Sequence, residues 1–133
     1  MKAYLLDTNA LLWLGLDDTM LRPATRQLLL EAALFASVIS AAEISIKHSI
    51  GKLELPPPFR TDFTGSFQTL LNRLAVDLLP LELGSINHMA QLPLHHRDPF
   101  DRIIIAQALE RGFAVATRDR AFLAYDGLDV LEV

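Results

Sequence analysis

An α/β architecture, with a mainly parallel sheet covered by helices on both faces, is predicted by two features of the sequence. Short apolar runs alternate with longer segments of helical periodicity from one end of the chain to the other. One of those segments, containing Ile103, Ile104, Ile105, Ala106, Ala108 and Leu109, is apolar nearly all round and must be largely buried. Strands joined through helices pair in parallel, and a parallel sheet is ordinarily covered on both sides.

The elements follow in order. Residues 3–6 form a short buried strand, and residues 10–16 a helix with an apolar side of Leu11, Leu12 and Trp13. Pro23 suits the first turn of a helix running to about Ala33. Residues 35–39 form a second strand-like run. It leads into Ser40-Ala41-Ala42-Glu43, where Ser at the N-cap and Glu at N3 match a capping box, and the helix so opened is expected to end near Gly51. Leu55-Pro56-Pro57-Pro58 is the strongest punctuation and marks a loop. Beyond it are expected a helix over 62–74, a strand within the apolar run 76–81 and a short helix over 85–92. Asp98-Pro99 combines an N-cap acid with proline at N1, and Gly112 closes the buried helix. Residues 113–117 and 128–131 are the last two strands. No repeat, linker or low-complexity tract divides the chain, so one domain over 1–133 is expected.

Composition limits the chemistry. Apolar residues make up 51% of the chain, enough for a sizeable core, yet charge or proline breaks every apolar stretch well short of the ~20 residues a membrane span needs. The apolar run after Met1-Lys2 is too short for a signal peptide, so a cytoplasmic protein with no membrane contact is expected. The absence of cysteine excludes disulfides, thiolate nucleophiles and thiolate-bound metals. Any metal must use oxygen or imidazole. The net charge of −4 weighs against nucleic-acid binding through bulk positive potential, unless acids are gathered around cations.

The acids are placed so that they can gather. Asp7 follows the first strand, Glu43 lies early in the helix after the second, Asp101 opens the buried helix, and Asp119 follows the strand over 113–117. In an open α/β sheet, ligand sites form beyond the carboxyl ends of strands and at adjoining helix N-termini. Each acid also has a plainer role: Asp7 could cap a helix, Glu43 complete a capping box, Asp101 favour a helix dipole, Asp119 start a short helix. Asp98 is best explained as an N-cap. Taken together, the acids point to a cluster that needs cations, and hard oxygen donors without cysteine suit Mg²⁺ or Mn²⁺. His95 and His96 precede Asp98 in an expected loop, while His48 and His88 lie in separate helices without metal-ligand spacing, so all four read as surface or capping residues. No Gly-x-Ser-x-Gly elbow, P-loop or dinucleotide fingerprint is present.

Four ordered segments carry a resemblance: Leu5-Leu6-Asp7-Thr8-Asn9-Ala10-Leu11-Leu12-Trp13, Ser40-Ala41-Ala42-Glu43, His96-Arg97-Asp98-Pro99-Phe100-Asp101-Arg102 and Thr117-Arg118-Asp119. Together they resemble the motifs of PIN domains, and the third looks most like the branch containing VapC-type toxins. The resemblance implies a three-layer α/β/α sandwich and a divalent-metal endoribonuclease. Asp7, Glu43, Asp101 and Asp119 would be the catalytic, metal-holding acids, with Asn9 and Thr117 as supports and Asp98 additional to the motif. It further implies in-line hydrolysis leaving a 5′ phosphate. Lys47, Arg97, Arg102, Arg118 and Arg120 flank the acids and are candidates for positioning the RNA backbone. A toxin of this kind is expected to be silenced by an antitoxin that offers the acidic pocket an Arg or Lys, and to form a homodimer.

Two other readings compete. A haloacid-dehalogenase-like phosphatase would use Asp7 as nucleophile, but that chemistry expects an acid two residues on, where this chain has Asn9. A catalytically silent binding module of the same fold would be expected to have lost an acid, and all four are in place.

Overall fold

The computed structural model describes residues 1–133. Five strands, β1 (Ala3–Leu6), β2 (Ala33–Ser37), β3 (Val76–Leu79), β4 (Ala114–Thr117) and β5 (Val130–Glu132), form one sheet in the order β3-β2-β1-β4-β5. Every pairing is parallel. The helices between them are α1 (Thr8–Leu16), α2 (Pro23–Leu30), α3 (Val38–Ser49), α4 (Pro58–Thr61), α5 (Phe63–Leu74), α6 (Leu83–Ala90) and α7 (Pro99–Arg111). Short 3₁₀ turns cover Asp18–Met20 and Arg120–Ala124.

Alternation along the central strands sorts side chains into two cores. Tyr4 and Leu6 of β1, with Ala114 and Ala116 of β4, join a cluster that includes Leu11 and Leu14 of α1, Leu29 of α2, Ile44 of α3 and Phe67, Leu70 and Leu71 of α5. Leu5 and Val115 point to the other face and meet Ile104, Ile105 and Ala108 of α7 together with Phe122 and Tyr125. The sheet is therefore covered on both faces, as the expected α/β/α sandwich requires. Five consecutive residues of α7, Ile104 to Ala108, are buried, in line with its all-round apolar sequence. Its C-cap, Gly112, takes φ 70°, a left-handed conformation that glycine adopts without a Cβ clash.

Chain order reverses at β1. From it the chain adds β2 and β3 on one side, then returns to place β4 and β5 on the other. The crevice between the carboxyl ends of β1 and β4 is the topological switch point where such sheets bind ligands. No helix is long and apolar enough to cross a membrane.

Several boundaries differ from the sequence expectation. β2 begins at Ala33, paired with Ala3, so α2 stops at Leu30. β2 ends at Ser37, and α3 starts at Val38 where residues 35–39 had been expected to continue as strand. The N-cap of α3 is Ser37, whose hydroxyl accepts the Ile39 N–H at 3.1 Å. Ser40 and Glu43 are thus the third and sixth residues of α3, and the capping box expected there does not form. α1 opens at Thr8 rather than Ala10, the proline segment adds the one-turn α4, α6 is displaced two residues toward the N-terminus, and the terminal strand is Val130–Glu132.

Candidate functional site

Asp7 follows the last residue of β1, and its backbone N–H continues the sheet ladder by donating to Ala116 O at 3.1 Å. Its carboxylate caps α1, with Oδ1 accepting the Ala10 N–H at 2.8 Å, while Oδ2 accepts the Thr117 hydroxyl at 2.6 Å. Thr117 Oγ1 in turn accepts the Asp119 N–H at 3.0 Å, so one threonine at the end of β4 ties two acids together. Asp7 is only 6% exposed. Burial, aided by the charges of Glu43 and Asp119, pushes it up to about 6 against the pull of its two hydrogen bonds.

The shifted start of α3 brings Glu43 to the same place. One and a half turns into the helix, it is 4% exposed. Oε1 accepts the Thr8 hydroxyl at 2.6 Å, and Oε2 lies 2.6 Å from Lys47 Nζ. Thr8 Oγ1 also lies 3.0 Å from Ser40 Oγ, one helical turn before Glu43. The hydrogen bond to Glu43 is the main cause that holds Lys47 above the usual lysine range, with the charges of Glu43, Asp98 and Asp101 adding to it. Lys47 is thus a fixed positive charge among the acids.

Across the crevice, Asp98 is the N-cap of α7, with Oδ1 accepting Phe100 N–H at 2.9 Å and Asp101 N–H at 3.4 Å. Asp101, in the first turn, is pushed up to about 7, chiefly by burial and then by the charge of Asp98, with His96 opposing and Asp7 and Glu43 adding. Asp119 caps the 3₁₀ turn after β4 through the Ala121 N–H at 2.9 Å. His96 stands between the two: its Nε2 lies 2.6 Å from Asp119 Oδ2 and 3.1 Å from Asp101 Oδ2.

Asp7, Thr8, Asn9, Glu43, Lys47, Asp98, Asp101, Arg118 and Asp119 line one cleft of about 110 Å³ without a hydrophobic wall residue. The four acids expected from sequence are brought together, as are Asn9, Thr117 and Asp98. Asp7, Asp98 and Asp119 are helix caps as well as cleft residues, because a cap places a carboxylate where helix N-termini meet strand ends. Thr8, Ser40 and His96 had not been singled out as site residues. His96 corrects the expectation that the histidines are surface or capping residues, since its ring joins two cleft carboxylates.

The basic residues divide. Arg102 donates through its guanidinium to the carbonyls of Pro93, His96, Met89 and Leu92 and so fastens the loop after α6. Arg118 reaches the cleft but also holds Val133 O and Met20 O and stacks on Trp13, 4.2 Å from the ring centroid. Arg120 pairs loosely with Glu132 at 3.3 Å, and Arg97 is exposed. A larger hollow of about 470 Å³ lies between the end of α1 and helices α4 and α5. Its two charged groups are already used, Asp62 capping α5 and Arg73 donating to Gly15 O, so it gathers no comparable chemistry.

The cleft suits a hard divalent cation. Its acidic donors are carboxylate oxygens, no thiol competes, and Asp7 and Asp101 are pushed upward first by burial and then by neighbouring acids, so a bound cation would offset the cost of ionising them there.

Comparison with known proteins agrees with the fold. VapBC2 from Rickettsia felis, solved with a promoter DNA fragment, is 14% identical with a TM-score of 0.71, covering 98% of both chains. DNA-bound VapBC from Salmonella typhimurium is 19% identical with a TM-score of 0.70, covering 99% of this chain and 98% of that one. FitAcB from Neisseria gonorrhoeae is 25% identical with a TM-score of 0.66, covering 97% and 96%. A search of curated proteins finds no match. The family model of the PIN domain matches residues 4–128, nearly the whole chain, and the chain belongs to the PIN-domain family.

Proposed function

We propose that this chain is a Mg²⁺- or Mn²⁺-dependent endoribonuclease and the toxin of a toxin–antitoxin pair. The observation that carries the reading is the convergence of Asp7, Glu43, Asp101 and Asp119, from four separate parts of the sequence, on one polar cleft at the switch point. In this reading these four carboxylates hold the ion, which supplies Lewis acidity for in-line hydrolysis at phosphorus. Thr117 and Thr8 fix Asp7 and Glu43 by hydrogen bonds, and Asn9, exposed on the rim, is available to an incoming phosphate or water. Asp98 serves as the cap that aims Asp101. Lys47, Arg97, Arg118 and Arg120 are the residues proposed to meet the RNA backbone.

The toxin half of the proposal rests on the family and on the solved relatives, which are VapBC and FitAcB structures. An acidic cleft complements a basic side chain, so the antitoxin is proposed to insert an Arg or Lys there. A homodimer and a cytoplasmic location belong to the same proposal.

The test is cleavage of RNA by the purified chain, with product ends sequenced. Cleavage is expected in Mg²⁺ or Mn²⁺, little in Ca²⁺, and none in excess EDTA. Full activity in EDTA, or no cleavage with any divalent ion, would overturn the reading.

A further inference from the structure

His96 lies in the loop between α6 and α7, yet its side chain is only 12% exposed. The ring sits edge-on to Phe122 with centroids 5.5 Å apart, and its backbone N–H donates to the Tyr125 hydroxyl at 2.9 Å. The Phe122 contact packs the imidazole, and the Tyr125 bond anchors the backbone that carries it. One edge, Nε2, faces Asp119 Oδ2 at 2.6 Å and Asp101 Oδ2 at 3.1 Å. The other edge, Nδ1, accepts the backbone N–H of Asp98 at 3.1 Å.

That last bond decides what the ring can do. A backbone N–H only donates, so Nδ1 must offer its lone pair and the ring proton must sit on Nε2. A histidine that ligates a metal has the reverse arrangement, with a bare nitrogen toward the ion and its N–H turned outward to a carbonyl or carboxylate. Nε2 of His96 and the carboxylates of Asp101 and Asp119 offer three ligand-type atoms within 4.8 Å of one another, which resembles a three-ligand site. The hydrogen-bond pattern makes it two carboxylates and a donor.

We infer that His96 is a positioning residue whose Nε2–H joins the carboxylates of Asp101 and Asp119 and holds them at the spacing the cleft requires, without itself ligating the ion. Two carboxylates on different elements, α7 and the turn after β4, repel each other and have no backbone connection to fix their separation. The Nε2–H, donating to Asp119 Oδ2 with Asp101 Oδ2 3.1 Å away, supplies that connection. The inference rests on the nuclease reading only for the purpose the two acids serve. The proton's place on the ring does not depend on it.

The test combines nitrogen NMR of histidine-labelled protein with Mn²⁺ binding followed by electron paramagnetic resonance. In EDTA and again in saturating Mg²⁺, His96 is expected to show a protonated Nε2 and a bare Nδ1. His96→Leu is expected to weaken Mn²⁺ binding about tenfold or more, as loss of an outer hydrogen bond to ligands does. His96→Gln, whose side-chain N–H₂ can reach the same oxygens, is expected to restore most of that loss, a recovery that simple refilling of the loop by Leu would not give. A proton on Nδ1, loss of the Nε2 proton when the ion binds, imidazole nitrogen coupling in the Mn²⁺ spectrum, or unchanged binding by His96→Leu would each overturn the inference. Failure of the wild-type protein to bind Mn²⁺ would instead refute the nuclease reading. The spectrum in EDTA would then decide the clamp alone, a proton on Nδ1 overturning it.

Discussion

The two walls of the acidic cleft are built differently. Asp7 and Glu43 form a dry wall: they are 6% and 4% exposed, and both oxygens of each carboxylate are engaged by Ala10, Thr117, Thr8 and Lys47. Asp101 and Asp119 form a wetter wall, with side chains 18% and 43% exposed and an imidazole between them. The dry wall is fixed by the fold itself, because it stands on the central strand β1 and on α3, which enters directly from β2. The wet wall draws on a loop residue. Buried hydrogen-bonded groups carry stability, whereas groups at a solvent edge influence mainly what binds there. Deleting a donor that holds a dry-wall carboxylate should therefore cost folding as well as function, and deleting the donor at the wet wall mostly ion binding.

The largest effect is expected where charge is removed from either wall with shape retained. Asp7→Asn and Asp101→Asn should each lower RNA cleavage by on the order of a thousandfold or more at saturating Mg²⁺. Both carboxyls are pushed upward by burial and by neighbouring acids, so the neutral amides should leave the metal-free melting temperature unchanged or raise it. Parallel melting and cleavage assays check this. A variant that melts well below wild type would show that its carboxylate supports the fold rather than the chemistry.

Next in size is a substitution that separates the walls. Thr8→Val removes the hydroxyl that donates to Glu43 Oε1, leaving a buried carboxylate oxygen without that partner, which costs about 1–3 kcal/mol. The denaturant midpoint should fall accordingly. His96→Leu, beside the more exposed pair, should destabilise less while weakening Mn²⁺ binding more. Equal stability losses from the two variants would abolish the distinction between dry and wet walls.

A pH titration of the metal-free protein tests the charge accounting. Asp7 and Asp101 are raised to about 6 and about 7, from an ordinary value of 3.8. Between 3.8 and those values the folded state binds more protons than the unfolded state, so stability falls as pH rises through the window. In EDTA the melting temperature should therefore be higher near pH 5 than near pH 8, as far as these two groups decide it. Saturating Mg²⁺ should reduce the difference and stabilise the protein more at pH 8, where no proton competes with the ion. A metal-free protein that gains stability between pH 5 and 8 would contradict the upward shifts.

The dry and wet walls also differ in how far the sequence discloses them. The acids stand out because each follows a recognisable strand or opens a recognisable helix, and that regularity survives errors of two or three residues in the boundaries. Glu43 shows the limit. Ser37 and Ser40 are both able to cap, and the apolar run before them has no period that says where strand becomes helix. Pairing with β1 and β3 ends the strand at Ser37 and moves Glu43 from a capping position to a buried one. His96 was unreadable for another reason. Its partners, Asp101 and Asp119, lie five and twenty-three positions away, and no spacing rule joins a loop histidine to them. Thr8 stood within a motif beside Asp7, but its partner Glu43 is thirty-five residues distant. Only the packing of α1 against α3 brings them together.

Asp98 gives the smallest expected effect and the finest test of the comparison. It lines the cleft with the proposed ligands, yet its Oδ1 is already occupied by the first turn of α7, accepting from Phe100 and Asp101. Asn caps helices about as well as Asp and keeps an oxygen in that place, so Asp98→Asn should change stability by less than about 1 kcal/mol. What the substitution removes is a negative charge, the second-largest cause of the upward push on Asp101 after burial. Asp101 should then ionise at lower pH, and the metal-free stability loss that accompanies its ionisation should begin at lower pH as well. Cleavage should stay within about tenfold of wild type, since a cap orients Asp101 without touching the ion. If Asp98→Asn instead abolishes cleavage with folding and α7 intact, Asp98 is itself a ligand, and the wet wall contains three working acids rather than two and a cap.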